Sequence, residues 1–380
     1  LKWILSEPNR SVDKEFYKRP RRILLTGSAS GMSQHLTKKL ISQGQYVMAT
    51  DIMYEKLLQQ FSSYADSRRV LVRKLNVTNP ENWKEVIDVC VEKWGGLDVV
   101  FNIAGVLCPH KIQDVTLKEI NLQLDVNIKG VVLGTRAAAK CFLSMTDDMS
   151  LPLHRHRGHI INFSSMGGLA TVSGVTLYAA SKFAVRGFSS ACSKDLADSN
   201  IAVTCFMPDA VQTPMVDLQL NFDEASMAFS GDILSLEEVE DCVLNKVLIE
   251  RPVEQWLSSR ANIARFGDIF GASRAVALAE WFMRGKGAQR QRVLIEESRG
   301  KVATDSQASL NSGVSHLPDL QKLRRRKSLT KWIVYVLLVF IFLEVYSRLF
   351  IDIPFVTAEE VAKKNSHNIV GKRFVVTGGS

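Results

Sequence analysis

A tyrosine and a lysine four residues apart, Tyr178 and Lys182 in "YAASK", share one face if the segment is helical. An ammonium beside a phenol favours the phenolate and lowers the phenol pKa. A tyrosine so placed can give a proton to an alcohol or carbonyl oxygen, or take one from it. Ser165 lies thirteen residues earlier, just after the apolar run "HIINF", and its hydroxyl could hydrogen-bond the same oxygen. Asn127, in "LDVNIKG", is a candidate to hold Lys182 through its backbone or a water. A lone Tyr-x-x-x-Lys pair is more often structural than chemical; what lifts this one is the order of features around it.

The stretch "TGSASGMS", Thr26 to Ser33, follows an apolar run and opens a helix-like segment. Gly27 and Gly31 let the backbone approach a pyrophosphate, whose charge a helix N-terminus attracts. Asp51 closes the next apolar run, "QYVMATD", twenty residues after Gly31. A carboxylate there can accept hydrogen bonds from adenine-ribose hydroxyls. It would also repel a 2′-phosphate, which favours NAD over NADP.

These residues need a frame to bring them together. From residue 22 onward, apolar runs alternate with helix-like stretches: "RILLTG", "QYVMATD", "VLVRKLNV", "LDVVFNIAG", "GHIINFSS" and "IAVTCFMP", with "VEQWL" as a further candidate strand. Helical periodicity is expected from about 120 to 145 and from about 177 to 198. Strands alternating with helices predict an α/β fold, a Rossmann-type doubly wound parallel sheet covered on both faces. With 380 residues and 46% apolar content, the chain can bury the core this requires. The net charge of +9 is local: residues 286–331 carry eleven Lys/Arg against four acids. A basic globular surface for nucleic acid is therefore not expected. Six cysteines without C-x-x-C spacing read as free thiols. His154, His156 and His159 have no matching carboxylate or Cys pattern, so no metal site is predicted.

Taken together these motifs resemble the short-chain dehydrogenase/reductase family over about residues 20–290. "TGSASGMS" stands for its glycine turn, "NIAG" (Asn102 to Gly105) for its Asn-Asn-Ala-Gly element, and "PDAVQT" (Pro208 to Thr213) for its Pro-Gly element and the following Thr. The family's tetrad falls on Asn127, Ser165, Tyr178 and Lys182. The resemblance implies hydride transfer between a nicotinamide and a substrate carbon. Tyr178 would be the acid/base, Ser165 would polarise the oxygen, Lys182 would hold the ribose and lower the Tyr178 pKa, and Asn127 would support a proton relay. It further implies cofactor contacts from Thr26, Gly27, Ser30, Gly31, Met32, Asp51, Asn76, Val77, Asn102, Ala104, Gly105, Tyr178, Lys182, Pro208 and Thr213. Dimers or tetramers built through the helices near Asn127 and Tyr178 are implied as well. The chain departs from the pattern at Ser33, Asn76, Ile103 and Asp209; Ser33 in place of a glycine is expected to loosen the packing of the helix under the cofactor.

The expected organisation is a polar leader (1–20), the Rossmann domain (21–292), a Ser-rich and basic linker (293–330), a membrane-associated helix (331–351) and the truncated start of a second such domain (352–380). Residues 332–351 have the length to span hydrocarbon, although Glu344 and Arg348 interrupt them, so spanning and interfacial placement both stand. The basic flank places the preceding domain on the cytoplasmic side of a membrane such as the endoplasmic reticulum. The closing "FVVTGGS" repeats "LLTGSAS", and with the apolar segment before it resembles the start of the 3-ketodihydrosphingosine reductases. The function expected is an NAD-dependent oxidoreductase of a lipophilic secondary alcohol or ketone, of sphingoid, steroid, retinoid or acyl type. Two alternatives stand beside it: a cofactor-binding scaffold without turnover in a tandem protein, and a soluble dehydrogenase of a small carbonyl.

Overall fold

The computed structural model describes residue 16 and residues 19–64, 67–145, 157–170, 173–258 and 283–297. All of these belong to the first of two compact units, Leu1–Leu320; the second, Gln321–Ser380, lies outside the described residues.

Seven strands form one sheet: β1 (Arg22–Thr26), β2 (Tyr46–Asp51), β3 (Val70–Lys74), β4 (Val99–Asn102), β5 (Gly158–Phe163), β6 (Ile201–Pro208) and β7 (Glu254–Leu257). Their order is β3-β2-β1-β4-β5-β6-β7, and every neighbouring pair is parallel. The chain winds outward from β1 to β3, then returns to β4 and winds the other way. That reversal leaves a crevice beyond the C-terminal ends of β1 and β4, where open α/β sheets take their ligands. The strand "VEQWL" predicts is β7, the outermost on its side.

Every residue of β5 and β6 is buried, as a parallel strand covered on both faces requires. Alternate residues sort into two cores. Ile23, Leu25, Val47, Ala49, Phe101, Phe163 and Phe206 meet Leu36 and Leu40 of helix α1 (Gly31–Ser42). Leu24, Met48, Val100, Ile160 and Val203 meet Trp83 and Val86 of α3 (Pro80–Trp94), which follows the short α2 (Tyr54–Gln60). On that second face lies a long helical stretch formed by α4 (Leu117–Leu124), a π-helical turn (Asp125–Lys129) and α5 (Gly130–Ser144). Then come α6 (Thr176–Asp195), α7 (Pro214–Leu220), α8 (Leu236–Cys242), α9 (Leu248–Glu250) and α10 over 283–297.

Two features lie across the expected boundaries. The leader was expected to be polar through residue 20, yet Phe16 is buried in the first core, with the Arg21 guanidinium over its ring at 5.0 Å. Its aromatic surface finds the apolar face that the sheet leaves open. The domain was expected to end at 292, but α10 runs to 297 and buries Leu294 against Val216 and Phe229. Among the described residues no helix is long and apolar enough to cross a membrane. The expected membrane segment 331–351 and the expected second glycine turn lie outside the described residues, as do His154 and His156. Among the described residues no cluster of metal-ligating side chains forms.

Candidate active site

The crevice is built first from backbone. Thr26 ends β1, and its hydroxyl accepts from the amides of Ile103 and Ala104 at 3.0 Å each while donating to the Phe101 carbonyl. This clips the turn after β1 to the turn after β4. Gly27 has φ +77°, and a Cβ there would lie 3.1 Å from the Ala104 Cα. Gly31 has φ +57° and faces the Thr213 methyl. Both positions need glycine for conformation, and both keep the floor of the crevice low. Ser30 precedes α1 but makes no side-chain cap, so the first amides of this twelve-residue helix are left for an anion. Ser30 and Ala104 are half-buried, and Met32 packs against the core.

Ser33 corrects an expectation. Its side chain is buried in a hydroxyl cluster with Ser28, at 3.2 Å, which Thr37 also joins. The larger residue is accommodated by hydrogen bonds, and the helix is tied down there. Asp51 lies at the crevice rim. Its two oxygens accept from Ala29 N (2.9 Å) and Met53 N (2.8 Å), which fixes the carboxylate and leaves a lone pair on each oxygen. Asn76 and Val77 are occupied locally. The Asn76 oxygen accepts from the Thr78 amide and hydroxyl, and the Val77 carbonyl accepts from Trp83 Nε1. Asn102 lies beneath the crevice, donating to Asn162 Oδ1 at 2.8 Å.

The four tetrad positions gather beyond β4 and β5. Ser165 follows β5 and accepts from Gly167 N at 3.1 Å, and its Oγ and the Tyr178 ring both flank Gly167. Lys182 sits one turn along α6, with its ammonium 5.4 Å from the Tyr178 ring centroid. Nζ donates to the Phe163 carbonyl at 2.9 Å. Gly105 closes the group: a Cβ there would lie 3.4 Å from Asn127 Oδ1 and 3.6 Å from Lys182 Nζ. The electrostatics differ from the sequence expectation. Burial pushes the Tyr178 phenol up to about 12, against a smaller downward pull from Ser165. Burial also brings Lys182 down to about 8. In the cofactor-free protein the Lys182 ammonium lies over the Tyr178 ring and donates to the Phe163 carbonyl. Desolvation of the phenolate wins.

Asn127 sits in the π-helical turn, a feature frequent at functional sites. Its side chain holds the loop after β4 from both sides: Oδ1 accepts from Val106 N (2.8 Å) and Nδ2 donates to Val106 O (2.9 Å). Nδ2 also reaches Ser181 Oγ, which donates to the Tyr178 carbonyl. Gln123, one turn earlier, accepts from Cys108 N. Ser181, Gln123 and Ser164, whose hydroxyl donates to the Lys182 carbonyl at 2.7 Å, are supports that the sequence reading missed. Ser164 and Ser181 stand inside quoted motifs, so adjacency was the available signal; Gln123 gives itself away only by its i, i+4 relation to Asn127.

Tyr178, Met215 and Phe222 pack against a small apolar cluster of buried Leu107, Val175 and Ala225, which forms an apolar wall beside the tyrosine. His110 meets the Phe222 ring edge-on at 5.6 Å, and Lys111 reaches Glu224 at 3.9 Å. Pro208 ends β6 beside Leu257, and Thr213 precedes α7 with its hydroxyl on Val211 O. Asp209 is tied to Ala210 N and to the Ser258 hydroxyl.

The sequence profile of a family described as "short chain dehydrogenase" matches residues 21–222. A 3-alpha-(or 20-beta)-hydroxysteroid dehydrogenase of Mycobacterium tuberculosis is 37% identical over 195 residues, 51% of this chain and 70% of that protein. A cyclopentanol dehydrogenase of Comamonas testosteroni is 34% identical over 217 residues, 56% of this chain and 81% of that protein. In fold the chain is similar to a 3-ketoacyl-(acyl-carrier-protein) reductase from Brucella melitensis complexed with NADH. The TM-score is 0.54 at 20% identity, covering 63% of this chain and 96% of that one. A short-chain dehydrogenase from Streptomyces avermitilis gives 0.57 at 21%, covering 70% and 99%.

Proposed function

The chain belongs to the short chain dehydrogenase family, oxidoreductases acting on CH–OH donors, and from that premise we propose that it interconverts a lipophilic secondary alcohol and its ketone with NAD as cofactor. The observation that carries this reading is the gathering of Asn127, Ser165, Tyr178 and Lys182 beside the glycine turn, with Ser165 Oγ and the Tyr178 ring both flanking Gly167. The crevice fits a nicotinamide dinucleotide: two glycines at positive φ, a helix start without a side-chain cap, and a buried carboxylate at the second strand end. In this reading Gly27 to Met32 hold the pyrophosphate, Asp51 the adenine ribose, and Asn102 to Gly105 the floor. Lys182 holds the second ribose and Thr213 the nicotinamide. When bound, the nicotinamide supplies or accepts the hydride.

The chain's own residues handle the oxygen and its proton. Ser165 donates to the substrate oxygen and orients it. With its pKa up near 12, Tyr178 is protonated at neutral pH and stands ready to donate to a ketone oxygen as negative charge develops on it. Lys182 spends one of its three donors on Phe163, which leaves two for ribose hydroxyls. Asp51 favours NAD, since a 2′-phosphate beside its fixed carboxylate would bring two negative charges together. The steroid and cyclopentanol named for the relatives, and the apolar wall, support a lipophilic substrate. We further propose that residues 331–351 attach the chain to a membrane with this domain on the cytoplasmic side; carbonate extraction of the expressed full chain tests it, and release into the supernatant overturns it.

The decisive experiment measures NADH formation from NAD with cyclopentanol and with a 3-hydroxysteroid, with and without Tyr178→Phe. Turnover should fall by about 10²–10⁴ in the variant while NADH still binds. Cofactor binding with no wild-type turnover on either alcohol or ketone would favour a scaffold over an enzyme.

A further inference from the structure

The wall of the cleft opposite the sheet is carried by a segment that the sheet does not hold. Met215 lies on α7, Phe222 precedes the seven-residue 3-10 stretch Asp223–Phe229, and Ala225 lies within it. This segment is fastened on its far side by α10. Gln291 is 2% exposed, and its Nε2 donates to the carbonyls of Gln219 (3.1 Å), Leu220 (3.2 Å) and Phe222 (3.0 Å). The first two carbonyls belong to the last residues of α7, where the helix runs out of its own donors; the Gln219 carbonyl also accepts from Phe222 N at 3.2 Å. One side-chain amide therefore caps α7 and pins the turn that aims Phe222 at the cleft.

Neighbours on α10 complete the fastening. Gly287 lies so close that a Cβ would fall 2.1 Å from the Ser226 carbonyl oxygen. The Arg290 guanidinium reaches the Gly231 carbonyl, and Leu294 is buried with Val216 and Phe229. Residues 287, 290, 291 and 294 recur at helical spacing, so one face of α10 meets the segment along its length.

We infer that α10 is a positioning element of the substrate cleft, and that Gln291 sets where Met215 and Phe222 stand relative to Tyr178 and so which apolar substrates fit. The inference rests on the dehydrogenase reading for its substrate but not for its mechanics. Loss of the Gln291 amide takes a donor from all three carbonyls, although Gln219 O keeps Phe222 N and Phe222 O keeps Ala225 N, and it loosens the turn at Phe222 while the glycine turn and the tetrad are untouched.

The test uses the full chain with Gln291→Met, which keeps the volume and removes the donor. Gln291→Lys restores a donor, and Leu294→Ala serves as a general loosening of the same helix. The readouts are hydrogen exchange of amides 214–229, the KM and kcat for cyclopentanol with NAD, and the NADH dissociation constant from fluorescence. Gln291→Met should speed exchange in 214–229 by about tenfold and raise KM by about tenfold, the loss expected for one hydrogen bond to a buried group. The kcat and the NADH affinity should stay within about twofold, with Gln291→Lys returning most of the KM. Unchanged exchange in 214–229 overturns the inference. So does a KM rise matched by an equal loss of NADH affinity, as in Leu294→Ala if that variant loosens the whole domain. If the wild type turns over no alcohol, the dehydrogenase reading falls, and exchange alone still decides whether Gln291 holds the wall.

Discussion

The two walls of the crevice are held by different means. The cofactor wall is local: Thr26 clips the turn after β4, Asp51 fixes Ala29 and Met53, and Gly27 and Gly31 supply conformations that only glycine takes without strain. Its parts lie at the ends of adjacent parallel strands, so the sheet places them. The substrate wall is remote: Phe222 stands where it does because Gln291, sixty-nine residues on, holds its carbonyl. Its packing partners Leu107, Val175 and Tyr178 come from two further segments. A wall built into the sheet has little freedom to vary. A wall held by a distant helix can change shape while the chemistry beneath it stays fixed.

If the two walls are separable, a substitution in one should leave the other's readout alone. The largest effect is expected at Asp51. Asp51→Asn keeps an acceptor for one of the two backbone amides and removes the charge that opposes a 2′-phosphate. The ratio of kcat/KM for NADP over NAD should rise by about a hundredfold, since like-charge juxtaposition costs several kcal/mol before screening. The KM for the alcohol should not move, and a shift in alcohol KM as large as the cofactor switch would show the walls to be coupled. Phe222→Ala is the reciprocal change. Removing half of a phenyl ring's burial should raise the KM for cyclopentanol by about tenfold, with the NADH dissociation constant unchanged. Equal losses in both would mean that the substitution had unfolded the segment down to α7.

The same division explains what was legible in the sequence. The parallel sheet, the glycine turn, Asp51 and the tetrad could be read because each announces itself within a few residues, through an apolar run, a glycine at a turn or an i, i+4 pair. Ser33 was misjudged because a motif counts residues and cannot see Ser28, itself held by Thr37, waiting to hydrogen-bond it. Asn76 reads as a cofactor contact by position, yet its amide oxygen is used by Thr78. Gln291 was invisible: a glutamine near the end of a helical stretch carries no mark that its partners lie between 219 and 222. Phe16 was lost for the same reason, since a single aromatic in a polar run shows its burial only once the sheet face it covers exists.

Tyr178 and Lys182 stand where the walls meet, and there the sequence named the residues but reversed one of their properties. Spacing alone places the ammonium beside the phenol; the fold buries both and turns the lysine to Phe163. This gives the smallest predicted effect, a pH dependence of stability in the cofactor-free protein. Lys182 falls from 10.5 to about 8, so between those values the unfolded chain binds more protons than the native one, and its contribution to stability rises with pH. Tyr178 rises from 10.0 to about 12, so its contribution is complete below 10 and is lost as pH climbs through 12. Thermal unfolding of the wild type and of Lys182→Met should therefore diverge from about pH 8 to 10, with the wild type gaining on the variant, because only the wild type is relieved of a buried charge. Tyr178→Phe should track the wild type across that window and part from it only above pH 10. A constant gap between wild type and Lys182→Met would mean that the ammonium is well solvated at the junction, and that the two walls enclose less of the site than the geometry shows.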